Sequence, residues 1–306
     1  MKKALLQLHT AIFLAGFTGI LGRLITLNEG LLVWWRMFIT VATILFLSIF
    51  TKEIRRIDFR TLLKIIGVGA IVALHWVCFY GSIKYANVSI SLVCFSTIGF
   101  FTAFFEPVIL RRRIDWMEVL FGLIAILGVY LIFHFDPQYK TGIILGILSS
   151  LLASLFPIFN KVILTQTDGR TLTFFELAGG LLILSFIMPF YLKVFPSDHI
   201  IPGMADFGWL LILSWLCTVL AFNLSVSSLK KISPFTVSLS YNLEPIYGII
   251  LAFVIYHENR YLSGGFYYGF ALIMITVVLQ TWRLYYTHRK MSLTPKLQNN
   301  SKTVDI

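Results

Sequence analysis

The chain contains few charged residues and few cysteines for its length. Only 13% of its 306 residues are Asp, Glu, Lys or Arg, whereas 58% are hydrophobic, and the mean hydropathy is +0.85. This composition excludes a soluble globular protein and a disordered one. The three cysteines, Cys78, Cys94 and Cys217, lie in hydrophobic segments and have no pairing or metal-binding spacing. We interpret them as small apolar residues.

Motifs of catalysis and nucleotide binding are also missing. No G-x4-G-K-[ST] sequence occurs, which argues against direct coupling to ATP, and neither the Gly-x-Ser nor the Gly-x-Gly-Asp sequence of intramembrane proteases is present. No group of His, Cys, Asp or Glu residues has metal-ligand spacing. The longest internal connections between hydrophobic segments, 51–63 and 193–206, are too short to hold a catalytic domain. The sequence therefore predicts no enzymatic activity, no cofactor and no metal.

What the chain does contain is a series of long hydrophobic runs. A hydrocarbon core about 30 Å thick requires about 20 apolar residues in a helix. The sequence has ten runs of this kind, and we predict an all-α integral membrane protein. The predicted transmembrane helices cover residues 5–27, 31–50, 64–83, 88–110, 115–134, 142–164, 171–192, 207–229, 232–256 and 262–283.

The basic residues are distributed unevenly among the connections between these runs. If the N-terminus lies in the cytoplasm, 19 of the 25 Lys and Arg residues fall on the cytoplasmic side. The other six are Lys84, Lys140, Lys193 and Arg260 in the outer connections, and Arg23 and Arg36 within helices. This asymmetry predicts cytoplasmic termini in the cell (inner) membrane. The net charge of +11 lies in short loops without an aromatic-rich basic face, so it favours contact with the anionic lipid bilayer over nucleic-acid binding.

The segment from His134 to Lys140 divides the predicted helices into two blocks of five. We predict a first repeat at residues 1–137, a second at 138–286 and a flexible cytoplasmic tail at 287–306. Because five is odd, two blocks with the same fold enter the membrane in opposite orientations. Inverted repeats of this kind place a substrate site near the membrane midplane, between the halves.

Glu244 is the deepest carboxylate in the predicted membrane region. An ionisable group at the bilayer centre costs about 2.5–3.5 kcal/mol on insertion scales, and it usually faces a partner or a water-filled cavity. Pro245 removes a backbone hydrogen bond to Tyr241 and predicts a kink, and Asn242 adds a polar group to the same turn. We predict that Glu244, Tyr241 and Asn242 belong to a substrate or proton site. The alternative is a carboxylate that serves helix packing and is held by a neighbouring hydroxyl or amide.

The third predicted helix brings further polar side chains near mid-depth. Trp76 and Tyr80 share a face through their i,i+4 spacing, and His75 lies beside them. A histidine at this depth could relay protons or donate to a substrate. The alternative is a neutral imidazole bonded to a backbone or hydroxyl group. We predict that all three residues line the substrate site with Glu244.

Two arginines lie in the outer thirds of the first two predicted helices. Arg36 could bind a substrate carboxylate or phosphate, or pair with Glu29. The alternative is that Arg36 and Arg23 extend to the interface within an aromatic belt that includes Trp35. We assign Arg36, Arg23 and Trp35 to a predicted outer vestibule.

Three polar residues lie about one turn from the predicted cytoplasmic surface. They are Glu176, Asn160 and Asn223. Polar side chains at this depth on three helices predict an inner gate.

Three stretches of the sequence carry a resemblance to a known family. They are WWRMFITVATILF at 34–46, FFEPVILRRRIDWMEVLFGLIAILGVYLIF at 104–133 and LEPIYGIILAFVIYHEN at 243–259. They resemble the drug/metabolite transporter superfamily and, within it, the EamA family of ten-helix carriers, over residues 5–283. Glu258 fits the glutamate that often ends the ninth helix of the family, whereas Arg113 and Asp115 occupy the matching junction of the first half.

The resemblance implies a gradient-driven secondary transporter that works by alternating access around a central cavity. Bacterial carriers of this family commonly export amino acids or other small metabolites, and the aromatic residues near Glu244 suit an amphipathic organic solute. We therefore predict export of a small organic metabolite, with proton coupling through Glu244. The alternatives are an importer of such a solute, and a membrane scaffold or receptor without transport. The small-residue helix faces suit either a monomer or a homodimer.

Overall fold

The computed structural model describes residues 2–51, 54–111, 113–135, 137–221, 224, 240 and 243–301, and for residues 2, 51, 135, 284, 285 and 287–301 it describes the backbone alone. Within these ranges the chain consists of helices and short connections, without a β-strand. The α-helices are α1 Lys2–Leu24, α2 Glu29–Thr51, α3 Phe59–Tyr85, α4 Val88–Phe95, α5 Ile98–Leu110, α6 Trp116–Phe135, α7 Lys140–Ile163, α8 Gly169–Val194, α9 Met204–Ser214, α10 Glu244–Tyr256 and α11 Gly264–Ser301. A π-helical segment, Trp215–Leu220, continues α9, and short 3-10 turns occur at Pro137–Tyr139 and Glu258–Arg260.

Eight helical stretches among the described residues are long and apolar enough to cross a membrane. They are Lys3–Leu24, Glu29–Phe50, Phe59–Tyr85, Val88–Leu110, Trp116–His134, Pro137–Ile163, Gly169–Val194 and Gly264–Arg283. Two shorter apolar helices, Met204–Leu220 and Glu244–Tyr256, overlap parts of the eighth and ninth predicted helices, 207–229 and 232–256. The prediction of an all-α membrane protein is thereby confirmed. Most of the segment between these two short helices, 222–242, lies outside the described residues.

The fourth predicted helix, 88–110, is divided into α4 and α5. The break lies at Ser96 and Thr97, where Thr97 N–H bonds to the Cys94 carbonyl three residues earlier, at 3.1 Å. Thr97 Oγ1 also lies 2.7 Å from that carbonyl and 2.9 Å from Ser150 Oγ on α7. The predicted span 88–110 is confirmed, but the break within it was not predicted; there the Thr97 hydroxyl bonds locally and across to α7 in place of a regular helical turn.

The helix ends in the second half bear on two further predictions. α10 begins at Glu244 and carries Pro245 in its first turn, a position where the missing N–H has no helical partner to lose. Residues 241 and 242, on the other side of the predicted kink, lie outside the described residues, so the kink stays a prediction. α11 continues to Ser301, well beyond the predicted end at 283, so most of the expected tail has a helical backbone. The flexibility of this segment stays a prediction.

Glycines allow the closest contacts between helices. α3 and α8 meet at Gly69 and Gly180, where a Cβ atom added to Gly69 would lie 2.7 Å from the backbone nitrogen of Gly180. α6 and α11 meet at Gly128 and Gly269, where a Cβ atom on Gly128 would lie 2.7 Å from the Gly269 carbonyl oxygen. Because lipid offers no hydrophobic driving force between helices, such close backbone contact contributes to helix association. α3 packs along both α7 and α8 and so joins the two halves of the chain.

The helical connections gather at two ends of the bundle. We call one the Glu258 end, which holds the connections after α1, α3, α6, α8 and α10, and the other the Asp168 end, which holds those after α2, α5 and α7. Ion pairs join neighbouring elements at the Asp168 end. They are Arg55–Asp168, Lys161–Glu106 and Arg283–Asp115.

Asp168 caps the N-terminus of α8 at the Asp168 end. Its Oδ1 accepts hydrogen bonds from the backbone nitrogens of Arg170 and Thr171 at 3.1 and 3.0 Å. Partial burial opposes the charged form, but the bonds from Thr171 and Arg170 and the charge of Arg55 outweigh it and lower the pKa of Asp168. Bonds from Thr61 lower the pKa of Asp58 in the same way at the start of α3.

Candidate functional site

Arg36 on α2 lies inside the bundle. The residue is 4% exposed, and its Nη1 donates to Tyr80 Oη at 2.7 Å. Its Nε and Nη2 donate to Thr218 Oγ1 at 3.2 and 3.1 Å. The guanidinium carbon lies 3.8 Å from the centroid of the Trp76 ring, within the range of a cation–π contact. The interpretation that Arg36 extends to the membrane interface is therefore wrong, because these three side chains hold it in the interior.

Arg36 shares a central cavity of about 130 Å³ with Glu244. His75 and Trp76 on α3 and Cys217 in the π-helical segment also line this cavity, so both halves of the chain contribute to it. Glu244 is the first residue of α10, where the positive end of the helix dipole favours a negative charge. Its carboxylate forms no hydrogen bond with a described residue. The predicted residues Glu244, His75, Trp76 and Tyr80 are thus brought together around Arg36.

His75 is buried and bonded to α7. Its Nδ1 lies 2.9 Å from the carbonyl oxygen of Ser149 and 2.9 Å from Ser149 Oγ. Ser149 Oγ in turn donates to the His75 carbonyl at 3.2 Å. With the proton placed on Nδ1 by this arrangement, the ring donates to a backbone carbonyl, as expected for a neutral imidazole. These contacts agree with the structural alternative for His75, while one edge of the residue still lines the central cavity.

Thr218 is a site residue that sequence reasoning missed. Its hydroxyl accepts from Arg36 and contacts the Leu213 carbonyl five residues earlier, at 3.0 Å. The π-helical turn of Trp215–Leu220 widens the helix at this point, and such turns often occur at functional sites. No sequence motif marks Thr218, because its role depends on a π-helical register and on a partner 182 residues away in the chain.

The predicted outer vestibule is divided between two places. Arg23 forms an ion pair with Glu258, and its guanidinium carbon lies 4.3 Å from the centroid of the Tyr256 ring. Trp35 Nε1 donates to the Ile200 carbonyl at 3.0 Å in the connection after α8. Both residues therefore lie at the Glu258 end, whereas Arg36 lines the central cavity. Nor does Arg36 pair with Glu29, which accepts a hydrogen bond from Tyr191 Oη at 2.7 Å.

Glu258 binds the N-terminus of α4. Its Oε1 accepts from the backbone nitrogen of Val88 at 3.0 Å, and its Oε2 accepts from the nitrogen and the Oγ of Ser89 at 2.8 and 2.6 Å. The carboxylate is also paired with Arg23, and the residue is 2% exposed. The glutamate noted from the resemblance therefore satisfies backbone donors that a helix start leaves free.

Glu176 and Asn160 meet on α8 and α7. Asn160 Nδ2 donates to both carboxylate oxygens of Glu176 at 3.0 and 3.2 Å. Both residues line a larger cavity of about 550 Å³ at the Asp168 end. Trp76 lines this cavity and the central one. Their role as a gate stays a prediction. The remaining predicted site residues, Asn223, Tyr241 and Asn242, lie outside the described residues. In the described part of the chain, no group of three His, Cys, Asp or Glu residues could hold a metal ion.

Comparison with known proteins agrees with this architecture. The EamA-like transporter family matches residues 2–134 and 140–282. No curated protein sequence matches the chain. A solved structure, described only as "Crystal structure of protein", is similar with a TM-score of 0.61 and 14% sequence identity, over 94% of this chain and 99% of that one. Similarity at this identity shows a shared fold alone. The two family matches cover nearly the whole sequence in two repeats, and the chain therefore belongs to the EamA-like transporter family of membrane transporters.

Proposed function

We propose that this protein is a gradient-driven secondary transporter that exports a small organic metabolite by alternating access. Family membership supports transport across a membrane. The single observation that carries the site assignment is the cavity that Arg36 and Glu244 line together. Ionisable residues within a membrane region are costly, and they usually mark a substrate or ion pathway.

Arg36 is the residue that we assign to an anionic group of the solute. Its guanidinium bonds to the neutral hydroxyls of Tyr80 and Thr218 and forms no salt bridge with a described carboxylate. A solute carboxylate would supply the missing negative charge, and the planar guanidinium suits two-point binding of such a group. The Trp76 ring offers an apolar surface beside it. These features suit an amino-acid-like or amphipathic solute.

Glu244 is the residue that we assign to proton coupling. Burial disfavours its charged form, whereas the nearby Arg36 and the N-terminus of α10 favour it. Opening the cavity to one side of the membrane and then to the other would change this balance. Glu244 would then bind a proton on one side and release it on the other.

The proposal includes a membrane topology. Ten helices would cross the cell (inner) membrane as inverted repeats at 1–137 and 138–286, with both termini in the cytoplasm. The uneven distribution of Lys and Arg supports this orientation. The Asp168 end is then cytoplasmic, and the larger cavity beside it corresponds to an inward-facing state.

A comparison of metabolites tests the transport function. Cells that lack the protein would carry the wild type, Glu244→Gln or Glu106→Gln, and metabolites would be measured inside the cells and in the medium. Glu106→Gln is the matched control, because Glu106 is a membrane-region glutamate that is followed by proline, like Glu244, but pairs with Lys161 outside the cavity. We expect one solute to accumulate outside with the wild type and the control, and to decline with Glu244→Gln.

Other outcomes would change the proposal in defined ways. A solute that is depleted from the medium would indicate an importer. Unchanged metabolites in both compartments would favour a scaffold or receptor. Full export by Glu244→Gln, with its dependence on external pH intact, would contradict proton coupling through Glu244.

A further inference from the structure

The larger cavity at the Asp168 end has a different chemical character from the central one. Its volume is about 550 Å³, compared with about 130 Å³. It lies between α2, α3, α7, α8 and the π-helical segment, so both halves of the chain line it. Its walls are largely apolar, with the aromatic side chains of Trp76 and Phe156 among them. A cavity of this size can enclose a small organic molecule.

Glu176 is a buried carboxylate in this cavity and has no cationic partner among the described residues. The residue is 7% exposed, and its hydrogen-bond donor among the described residues is the neutral Asn160 amide. Glu176 lies seven residues after the start of α8, which corresponds to about 10 Å along the helix. A charged group at this depth is normally paired or turned towards a ligand or water.

Asn160 adds an unused hydrogen-bond acceptor to the same place. With its Nδ2 directed at Glu176, its Oδ1 is buried and has no partner among the described residues. Buried polar atoms without a partner are uncommon in folded proteins. When it is ionised, the Glu176 carboxylate presents acceptors that are complementary to a group with several N–H donors and a positive charge, and the enclosed Asn160 Oδ1 reaches such a group once its amide rotates.

We propose that the larger cavity binds the ammonium group of an amphipathic amine at Glu176 and Asn160, with the apolar part of the amine against Trp76 and Phe156. An ammonium group has three N–H donors, which can bond to the two carboxylate oxygens and, after rotation of the amide, to Asn160 Oδ1. The positive residue that lines the same cavity, Arg170, is exposed at the start of α8. The assignment of the amine as a transported solute rests on the proposed function, but its binding does not.

Direct binding to the purified full chain tests this site. Titration calorimetry in detergent would compare 2-phenylethylammonium with the uncharged 2-phenylethanol and the anionic 3-phenylpropionate. We expect the amine to bind at least tenfold more tightly than the alcohol, because only the amine supplies the charge and three donors. The anion should bind most weakly to this cavity.

Variants locate the site. Glu176→Gln should weaken amine binding at least tenfold and leave binding of the alcohol unchanged, whereas Glu106→Gln, at the same end but paired with Lys161, should bind both like the wild type. Asn160→Leu removes the free acceptor and should weaken amine binding severalfold. If Glu176→Gln does not yield a folded protein, two other variants test the site. Glu176→Asp should keep the preference for the amine over the alcohol, and Asn160→Leu should reduce this preference.

Two results would overturn the proposal. One is equal affinity for the amine and the alcohol in the wild type, and the other is unchanged amine binding in both Glu176→Gln and Asn160→Leu. The outcome is separable from that of the transport experiment. Amine binding without any change in cellular metabolites would contradict the proposed function alone, and export without a preference for the amine would contradict this site alone.

Discussion

The two ends of the helix bundle hold their carboxylates in different ways. At the Glu258 end, Glu258 is 2% exposed and accepts hydrogen bonds from α4 while it pairs with Arg23. At the Asp168 end, Asp168 pairs with Arg55, whose side chain is 78% exposed. Exposed ion pairs contribute about 0–1 kcal/mol, whereas removing one partner of a buried pair costs about 3–5 kcal/mol. The Glu258 end is therefore closed more firmly than the Asp168 end.

Under the proposed alternating-access mechanism, this difference predicts which helices separate. One carboxylate, Glu258, connects α1 through Arg23, α4 through Ser89, and the turn that follows α10. At the Asp168 end, where the larger cavity lies, the buried carboxylate Glu176 joins only α8 to α7, through the neutral Asn160 amide, and it pairs with no cation among the described residues. Alternating access would then require the Glu258 contacts to break. Among the substitutions considered below, loss of these contacts should lower the stability of the protein most.

The largest expected effect is that of Glu258→Ala. The substitution leaves the backbone donors of Val88 and Ser89 and the charge of Arg23 without their acceptor, so we expect a loss of about 3–5 kcal/mol of stability. Unfolding of the purified protein in detergent measures the change. Glu106→Ala, which removes a more exposed ion-paired carboxylate, should cost about 1 kcal/mol or less. Equal effects of the two substitutions would contradict the difference between the ends.

A smaller effect is expected where α3 meets α8, beside the larger cavity. Gly69→Ala would place a Cβ atom against the backbone of Gly180 and Glu176, so the two helices must separate. Overpacking of this kind costs about 1–3 kcal/mol. Gly67→Ala is the matched control, since its Cβ atom would meet nothing within 4 Å and the higher helix propensity of alanine favours the fold by about 0.5–1 kcal/mol. Thermal midpoints of the two variants should therefore shift in opposite directions.

The smallest effects are expected among the exposed groups at the Asp168 end. Asp168→Ala removes a helix cap and should cost about 1 kcal/mol, and Arg55→Gln should cost less than about 1 kcal/mol, with the loss disappearing at high salt. Because the pKa of Asp168 is lowered in the folded protein, its contribution is present above the ordinary value of 3.8 and is lost as the pH falls through the folded value. Unfolding of wild type and Asp168→Ala as a function of pH should therefore converge in acid. A constant difference at all pH values would contradict this assignment.

Hydropathy predicted the membrane-spanning segments, but it did not predict where helices break. The run at 88–110 is apolar throughout, and its division at Thr97 depends on Ser150 of another helix. An apolar run of this kind leaves two backbone arrangements open, and a hydrogen bond to a distant residue accompanies the one that forms.

The candidate site was predicted in part. The depth of Glu244 and the i,i+4 spacing of Trp76 and Tyr80 indicated residues that the structure does place together. Arg36 was assigned to the outer vestibule because its distance from the helix end suggested contact with the interface. Its actual position depends on Thr218, which no motif marks.

The sequence by itself determined that this is a multi-helix membrane protein, because the length of an apolar run is a property of the chain alone and a bilayer requires runs of about 20 residues. The tertiary structure alone decided that Arg36 lies inside, that Glu258 joins three elements and that Glu176 lines a cavity without a cationic partner among the described residues. These outcomes depend on which helices are neighbours. The cost of an unpaired charge in the interior then fixes each ionisable side chain beside the partners that those neighbours provide.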